Sequence, residues 1–244
     1  LKEVKTYDWP DEDGMDVDLS HPVLASRQLS LPLAVRNGQI TAFMEFLYER
    51  TTRTWEVKEL GYSERLRFVG CSDFELHGDL GFATILLSAD SPMEGYTYET
   101  PSTTIDLAYY KGALSVDNVD LTSYGCTALE GVAETLKAYG QVKEALLINV
   151  SNKAGVVYDN EAPVRKAART ATFGLLMRAN SIAEFWRNYN ALLYDLTREG
   201  ERTIAYNGTD IFKGYYSNMS IDAFDFTSTI WVKFIITFNE TGRI

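Results

Sequence analysis

At 244 residues, 45% hydrophobic and 13% aromatic, the chain can bury one large core or two smaller ones without disulfides or metals. A formal charge of −11 excludes the clustered Lys and Arg on which nucleic-acid affinity rests. Cys71 and Cys126 share no motif, no run reaches the roughly eighteen apolar residues of a membrane span, and no charged leader with an apolar run opens the chain. These features predict a soluble protein with free thiols in a reducing compartment, touching neither membrane nor specific nucleic acid.

In chain order, the first marked feature is acidic. Asp8, Asp11, Glu12, Asp13, Asp16 and Asp18 surround Gly14 with no base among them. With Gly14 at the sharp turn of a calcium loop, Asp11 and Asp13 fall on ligand places, but Trp9 takes the first and Ser20 the last, so the pattern predicts a solvated loop and no metal site. Residues 27–36 alternate as a strand, with Pro32 favouring an edge. Ile40, Phe43, Met44 and Leu47 recur at helical spacing, and strands are predicted over 54–57, 65–69 and 82–88. Residues 91–104 hold two prolines and many hydroxyls without periodicity, which predicts a linker. Beyond it, strands are predicted over 105–110, 113–116, 119–121, 142–150, 169–177, 203–206, 211–216 and 229–238. Asn207 and Gly208 tolerate positive φ and predict a hairpin turn.

The strongest single signal is the helix predicted over 181–196. Ile182, Phe185, Trp186, Tyr189, Leu192, Leu193 and Leu196 share one face, so the helix should lie across a sheet with Phe185 and Trp186 at the centre of the core. Its other face should be wet. Ser181 and Glu184 have the spacing of a capping box, and Gly200 marks the far end.

The order strand, helix, strands occurs twice. A shift of 141 pairs Lys2 with Lys143, Glu3 with Glu144, Gly14 with Gly155, Asp18 with Asp159, Pro22 with Pro163 and Val23 with Val164. One further residue of shift aligns the two helical stripes. The economical reading is an internal duplication, in which the first copy is worn and its helix about two turns shorter. The predicted fold is mainly β with one helix per domain (α+β): two tandem β-sandwich or split-barrel domains at 1–90 and 105–244, joined by the linker 91–104.

Within the second copy, YDNEAPVRKAARTATFGLLM from residue 158, SIAEFWRNYNALLYDLTREGERTI from 181 and IFKGYYSNMSI from 211 resemble the distal tail and tail-tube-like proteins of long-tailed bacteriophages, including prophage copies. The resemblance covers most of residues 105–244 and, through the repeat, residues 1–90 more faintly. It implies a β-sandwich or split barrel carrying one helix, and subunits that form a trimeric or hexameric ring and join other tail proteins at the tail tube or baseplate. It also implies assembly in the bacterial cytoplasm followed by residence in the virion tail. The sequence departs from that pattern in its acidic loop.

No phosphate loop, H-E-x-x-H, Cys-x-x-Cys or Gly-x-Ser-x-Gly motif occurs, so no enzyme activity, catalytic residue, cofactor or metal site is predicted. His21 and His77 have no nucleophile nearby in sequence. The acid pairs Asp16 with Asp18 and Glu45 with Glu49 would need a cleft to do glycosidase work. Two function classes follow: a structural tail component, and a β-sandwich binding module for carbohydrate or a surface partner, whose tyrosines would stack on sugar rings. The tandem copies favour the first, since a ring needs repeated, complementary surfaces.

Overall fold

A computed structural model describes all residues except 50, 51, 144–146, 159, 160, 162, 228 and 244. Its contacts divide the chain into a larger unit, Leu1–Val23 with Thr97–Ile244, and a smaller one, Leu24–Tyr96. In sequence the smaller unit is therefore an insertion into the larger. Residues 1–23, grouped with the first domain by the repeat, make their contacts with the larger unit, and so do residues 97–104 of the predicted linker.

The larger unit opens with a short hairpin, β1 (Thr6–Tyr7) against β2 (Asp16–Val17). Two-residue strands leave no periodicity to read, and only an acidic loop is visible there in the sequence.

The smaller unit runs β3 (Arg27–Arg36), α1 (Asn37–Glu49), β4 (Thr52–Val57), β5 (Tyr62–His77) and β6 (Leu80–Ala89). Its antiparallel sheet has the order β3-β6-β5-β4. Strict alternation along β3 turns Leu29, Leu31 and Leu33 toward a core of Leu47, Leu66, Ile85 and Leu87, which Phe43 and Met44 of α1 also cover. Pro32, lacking an N–H, sits on this edge strand as its chemistry requires. At 13 residues α1 is only two shorter than the second copy's helix, because the polar Asn37, Gly38 and Gln39 join its first turn without marking the apolar stripe.

The larger unit continues with β7 (Leu114–Val116), β8 (Val119–Asp120), β9 (Cys126–Ala128), α2 (Val132–Lys137), β10 (Leu147–Ile148), β11 (Val157–Tyr158), β12 (Arg169–Ala179), α3 (Ile182–Leu196), β13 (Arg202–Tyr206), β14 (Thr209–Asp225) and β15 (Ile230–Arg243). Seven strands form one sheet in the order β8-β7-β13-β14-β15-β12-β9, while among the described residues β10 and β11 pair with each other alone. On one face Phe173, Leu175 and Met177 of β12 and Val232, Phe234, Ile236 and Phe238 of β15 are buried by simple alternation. The rings of Phe173 and Phe238 stack at 5.9 Å, and α3 sets Tyr189 on Phe234 at 5.7 Å. The short α2 buries Val132 and Leu136, so among the described residues this unit holds two α-helices where one was predicted. Six residues are too few to show a stripe.

Two predicted strands do not form as such among the described residues. The first, 105–110, ends in a 3-10 turn, Ala108–Tyr110. Of the second, 142–150, the described part gives only β10 and an isolated bridge from Val142 to Lys166. Its apolar residues supply composition, but no neighbouring long strand offers a ladder.

Two stretches of the chain share one element order, although β1 and β2, which open the first, belong by their contacts to the larger unit. A short hairpin, a long strand, a helix and three strands occur as β1-β2-β3-α1-β4-β5-β6 and as β10-β11-β12-α3-β13-β14-β15, and the sheet orders β3-β6-β5-β4 and β12-β15-β14-β13 coincide. The hairpin registers match at the same offset, since Thr6↔Val17 and Tyr7↔Asp16 recur as Leu147↔Tyr158 and Ile148↔Val157. Of the paired residues, Glu144 and Asp159 lie outside the described residues.

Candidate assembly surfaces

The helix α3 begins at Ser181, whose hydroxyl accepts the Glu184 amide at 3.1 Å, as a capping residue should. The reciprocal half of the box is not made to Ser181. Glu184 is 5% exposed, and its carboxylate accepts the Thr104 amide and hydroxyl, both at 2.8 Å, and the Asn180 amide at 3.3 Å. One turn on, Asn188 exchanges two 3.0 Å hydrogen bonds with the main chain of Ser102. Two turns further, Asp195 accepts Tyr98 at 2.9 Å and Tyr124 at 2.7 Å. The side predicted to be wet thus carries residues 98–104 as a strap. These residues escaped the sequence reading because Glu184 satisfies the capping rule and Asn188 is an ordinary polar helix residue; the one signal was a run of hydroxyls facing them.

Burial pushes the Glu184 pKa up, and the hydrogen bonds from Thr104 and Asn180 more than offset it, so the carboxyl lies below its ordinary value of 4.5. A depressed carboxyl contributes stability above its unfolded pKa and loses it as pH falls through the folded value. The strap should accordingly loosen only below pH 4.5. Hydrogen exchange of the Ser102 and Thr104 amides across that range measures it, and Glu184→Gln should flatten the pH dependence; an unchanged dependence in the variant would assign it elsewhere.

At the other end of α3, Arg202 is 5% exposed and gathers the connection to β13. Its guanidinium donates to Asp117 Oδ2 at 2.8 Å, to the Gly200 carbonyl at 2.9 Å and to the Glu199 carbonyl. Asp117 in turn accepts the Thr203 amide at 2.8 Å.

The β1–β2 hairpin is seated on the larger unit by its connecting loop. The Gly14 amide donates to the Lys166 carbonyl at 2.8 Å and the Met15 amide to the Thr241 carbonyl at 3.1 Å. Asp13 accepts the Lys166 amide at 2.7 Å, and Lys143 donates to the Trp9 carbonyl at 2.6 Å beside the Asp8 carboxylate. A Cβ on Gly14 would stand 1.6 Å from the Thr241 oxygen, and its φ is +74°, so only glycine fits. The acids that suggested a solvated loop are therefore partly structural. Asp16 accepts the Trp9 indole at 3.0 Å, and Asp18 accepts the Ser20 hydroxyl at 2.6 Å and amide at 3.2 Å, which hold its carboxyl below the usual range. Residues 15–20 and 199–201 border an open groove of about 760 Å³.

Long strand edges are the second kind of surface. The five residues of β13 pair with β14 only as far as Gly214, and β14 runs on to Asp225 against β15 alone among the described residues. Ile221 and Phe224 on that stretch are 58% and 57% exposed. In the smaller unit β3 ends the sheet along its whole length, and β5 outruns β4 beyond Arg67. Val69, Phe74 and Leu76 are exposed there. Such edges present main-chain donors and acceptors to another strand.

The residues weighed for chemistry are not brought together. His21 lies 3.5 Å from Glu199, both exposed, and His77 lies 3.0 Å from Glu75 against the Phe82 ring. Glu49 faces Arg53 at 3.7 Å. Cys71 is half-buried and Cys126 fully buried; burial pushes both thiols up, which makes them poor nucleophiles. Among the described residues no three of His, Cys, Asp and Glu converge as metal ligands, and no helix is long and apolar enough to cross a membrane.

No protein-family model matches the chain, and no curated protein does. Among solved structures, the chain is similar to the Dit (gp 19.1) protein of SPP1, described as a paradigm of the hub adsorption apparatus in Gram-positive-infecting phages. That similarity has 15% identity and a TM-score of 0.35, and it covers 52% of this chain and 49% of that one, so the match spans about half of each protein.

Proposed function

We propose that the chain is a structural, non-enzymatic component of a phage or prophage tail, which forms or joins a ring at the tail tube or baseplate. The observation that carries this reading is the recurrence of one strand order in both units, each leaving long strand edges open. Two copies of one architecture, arising by duplication, supply two similar surfaces per chain, and head-to-tail use of similar surfaces closes into rings. Three chains then make a pseudo-six-fold ring; six chains do so if only the larger unit contributes. The partners are other copies of the chain and neighbouring tail proteins, with assembly in the bacterial cytoplasm and final residence in the virion tail. The net charge of −11 suits a channel wall along which DNA slides without sticking.

Electron microscopy of the protein at high concentration tests the proposal. Closed rings of three or six chains are expected. A closed two-fold dimer with the β14 edge buried would overturn it, because the larger unit's edge would no longer be free to build a ring.

A further inference from the structure

We infer that the exposed face of the β1–β2 hairpin binds a neutral saccharide, whose rings stack on Tyr7 and Trp9 while the carboxylates beside them accept its hydroxyls. The site lies wholly within the larger unit and does not depend on the ring proposed above.

Tyr7 pairs directly with Asp16, so both stand on one face of the hairpin, and Trp9, two residues on, returns to that face. The Tyr7 and Trp9 rings lie within 12° of parallel with their centroids 6.3 Å apart, and the two residues are 52% and 49% exposed. Trp9 is held from two sides. Its indole donates to Asp16 Oδ2 at 3.0 Å, and its carbonyl accepts Lys143 Nζ at 2.6 Å. The same ammonium binds Asp8 on the opposite face of the strand, and the Lys143 side chain is only 8% exposed. The platform is therefore set before a ligand arrives, which lowers the ordering cost of binding.

The hairpin does not need these rings for its own structure. Its counterpart, β10–β11, repeats the register with Ile148 and Val157 in place of Tyr7 and Asp16, and Val150 stands in place of Trp9. One main-chain arrangement is thus built once from aliphatic residues and once around an aromatic pair with a carboxylate fixing the indole. The apolar ring faces left in water on the first hairpin gain free energy only when something covers them.

The surrounding chemistry selects the cover. Parallel rings present flat apolar surface, which suits the C–H face of a sugar ring, whereas caging a cation takes aromatic rings turned toward a common centre. Asp11 and Glu12, next along the loop, are exposed and carry no side-chain hydrogen bond or ion pair among the described residues. Asp16 also lines the open groove that reaches Glu199 and Glu201. Carboxylates accept hydroxyl donors and repel phosphate, sulfate and uronate groups, so the fitting ligand is a neutral glycan and not an anionic one.

Affinity electrophoresis of the full chain tests the inference, in gels holding a soluble β-glucan, a galactomannan or glycol chitin, with polygalacturonate as the anionic polymer. Retardation by at least one neutral polymer is expected, and none by polygalacturonate. The double variant Tyr7→Ile with Trp9→Val, which installs the residues of the second hairpin, should keep the parent's thermal melt and weaken binding by about tenfold or more. Asp16→Ala should weaken binding by releasing the indole, and Asp16→Asn, whose oxygen still accepts that hydrogen bond, should restore it. Retardation that survives the double substitution, or that polygalacturonate alone produces, would overturn the inference. So would the absence of retardation by every neutral polymer; binding of oligolysine in that case, followed by tryptophan fluorescence, would assign the face to a basic peptide instead.

Discussion

Replacing Phe185 by alanine should destabilise the larger unit by about 3 to 5 kcal/mol, the range for removing a buried aromatic ring. The ring is 2% exposed and meets Trp186 at 5.0 Å, Tyr189 at 5.9 Å and Phe226 at 5.2 Å. Removing it leaves a void at the point where the helix meets the sheet, and the three neighbouring rings are too rigid to fill it. For a unit of this size the melting temperature should fall by roughly 6 to 20 °C. The sequence ranked Trp186 equally, but the structure leaves it half-buried beside Phe185. Trp186→Ala should therefore cost less. Thermal melts of both variants, followed by near-ultraviolet dichroism, check the order; equal losses would mean that the two rings share one burial.

Arg202→Met should also be damaging, at roughly 1 to 3 kcal/mol, because it removes a buried guanidinium from a half-buried carboxylate and from two carbonyls. Methionine fills the channel of the aliphatic stem, but Asp117 loses the nearer of its two cations, keeping Arg198 at 3.5 Å, and the carbonyls of Glu199 and Gly200 lose this donor. The double variant with Asp117→Asn removes the half-compensated charge, and an asparagine oxygen can still accept the Thr203 amide. Asparagine also tolerates the positive φ of 50° at that position. The double variant should be more stable than Arg202→Met alone in urea unfolding. A double variant no better than the single one would show that the carbonyl contacts, and not the ion pair, carry the cost.

The parts of the fold that were legible in the sequence are those where one rule acts undisturbed. The strand β3 and the helix α3 each keep a single period from end to end, and both were bounded within a residue or two. The strand β14 was predicted only over 211–216, although it runs to Asp225, because register shifts at Lys213/Gly214, Tyr216/Asn218 and Ile221/Ala223 each turn the alternation to the opposite face. The same happens in β5 at Phe68/Gly70 and Ser72/Glu75, where the prediction stopped at 69. Bulges conceal a long strand from any test of alternation. The strap and the hairpin seat were illegible for a different reason. They depend on Asn188 meeting Ser102 and on Gly14 meeting Thr241, pairs that only the folded chain brings together.

The nesting of the smaller unit within the larger imposes an order in time. Every strand of the smaller unit has been made once residue 96 leaves the ribosome, and its ladder from Arg27–Ala89 onward can close at once. The β1–β2 hairpin is older still, but its loop is held by Lys166 and Thr241, the second of which is synthesised almost last. At ordinary elongation rates of about 5 to 20 residues per second, the chain waits roughly 7 to 30 s between the completion of the smaller unit and the arrival of Thr241. During that interval the acidic loop lacks the partners that hold it in the finished fold, and its charged side chains suit it to water until they are made.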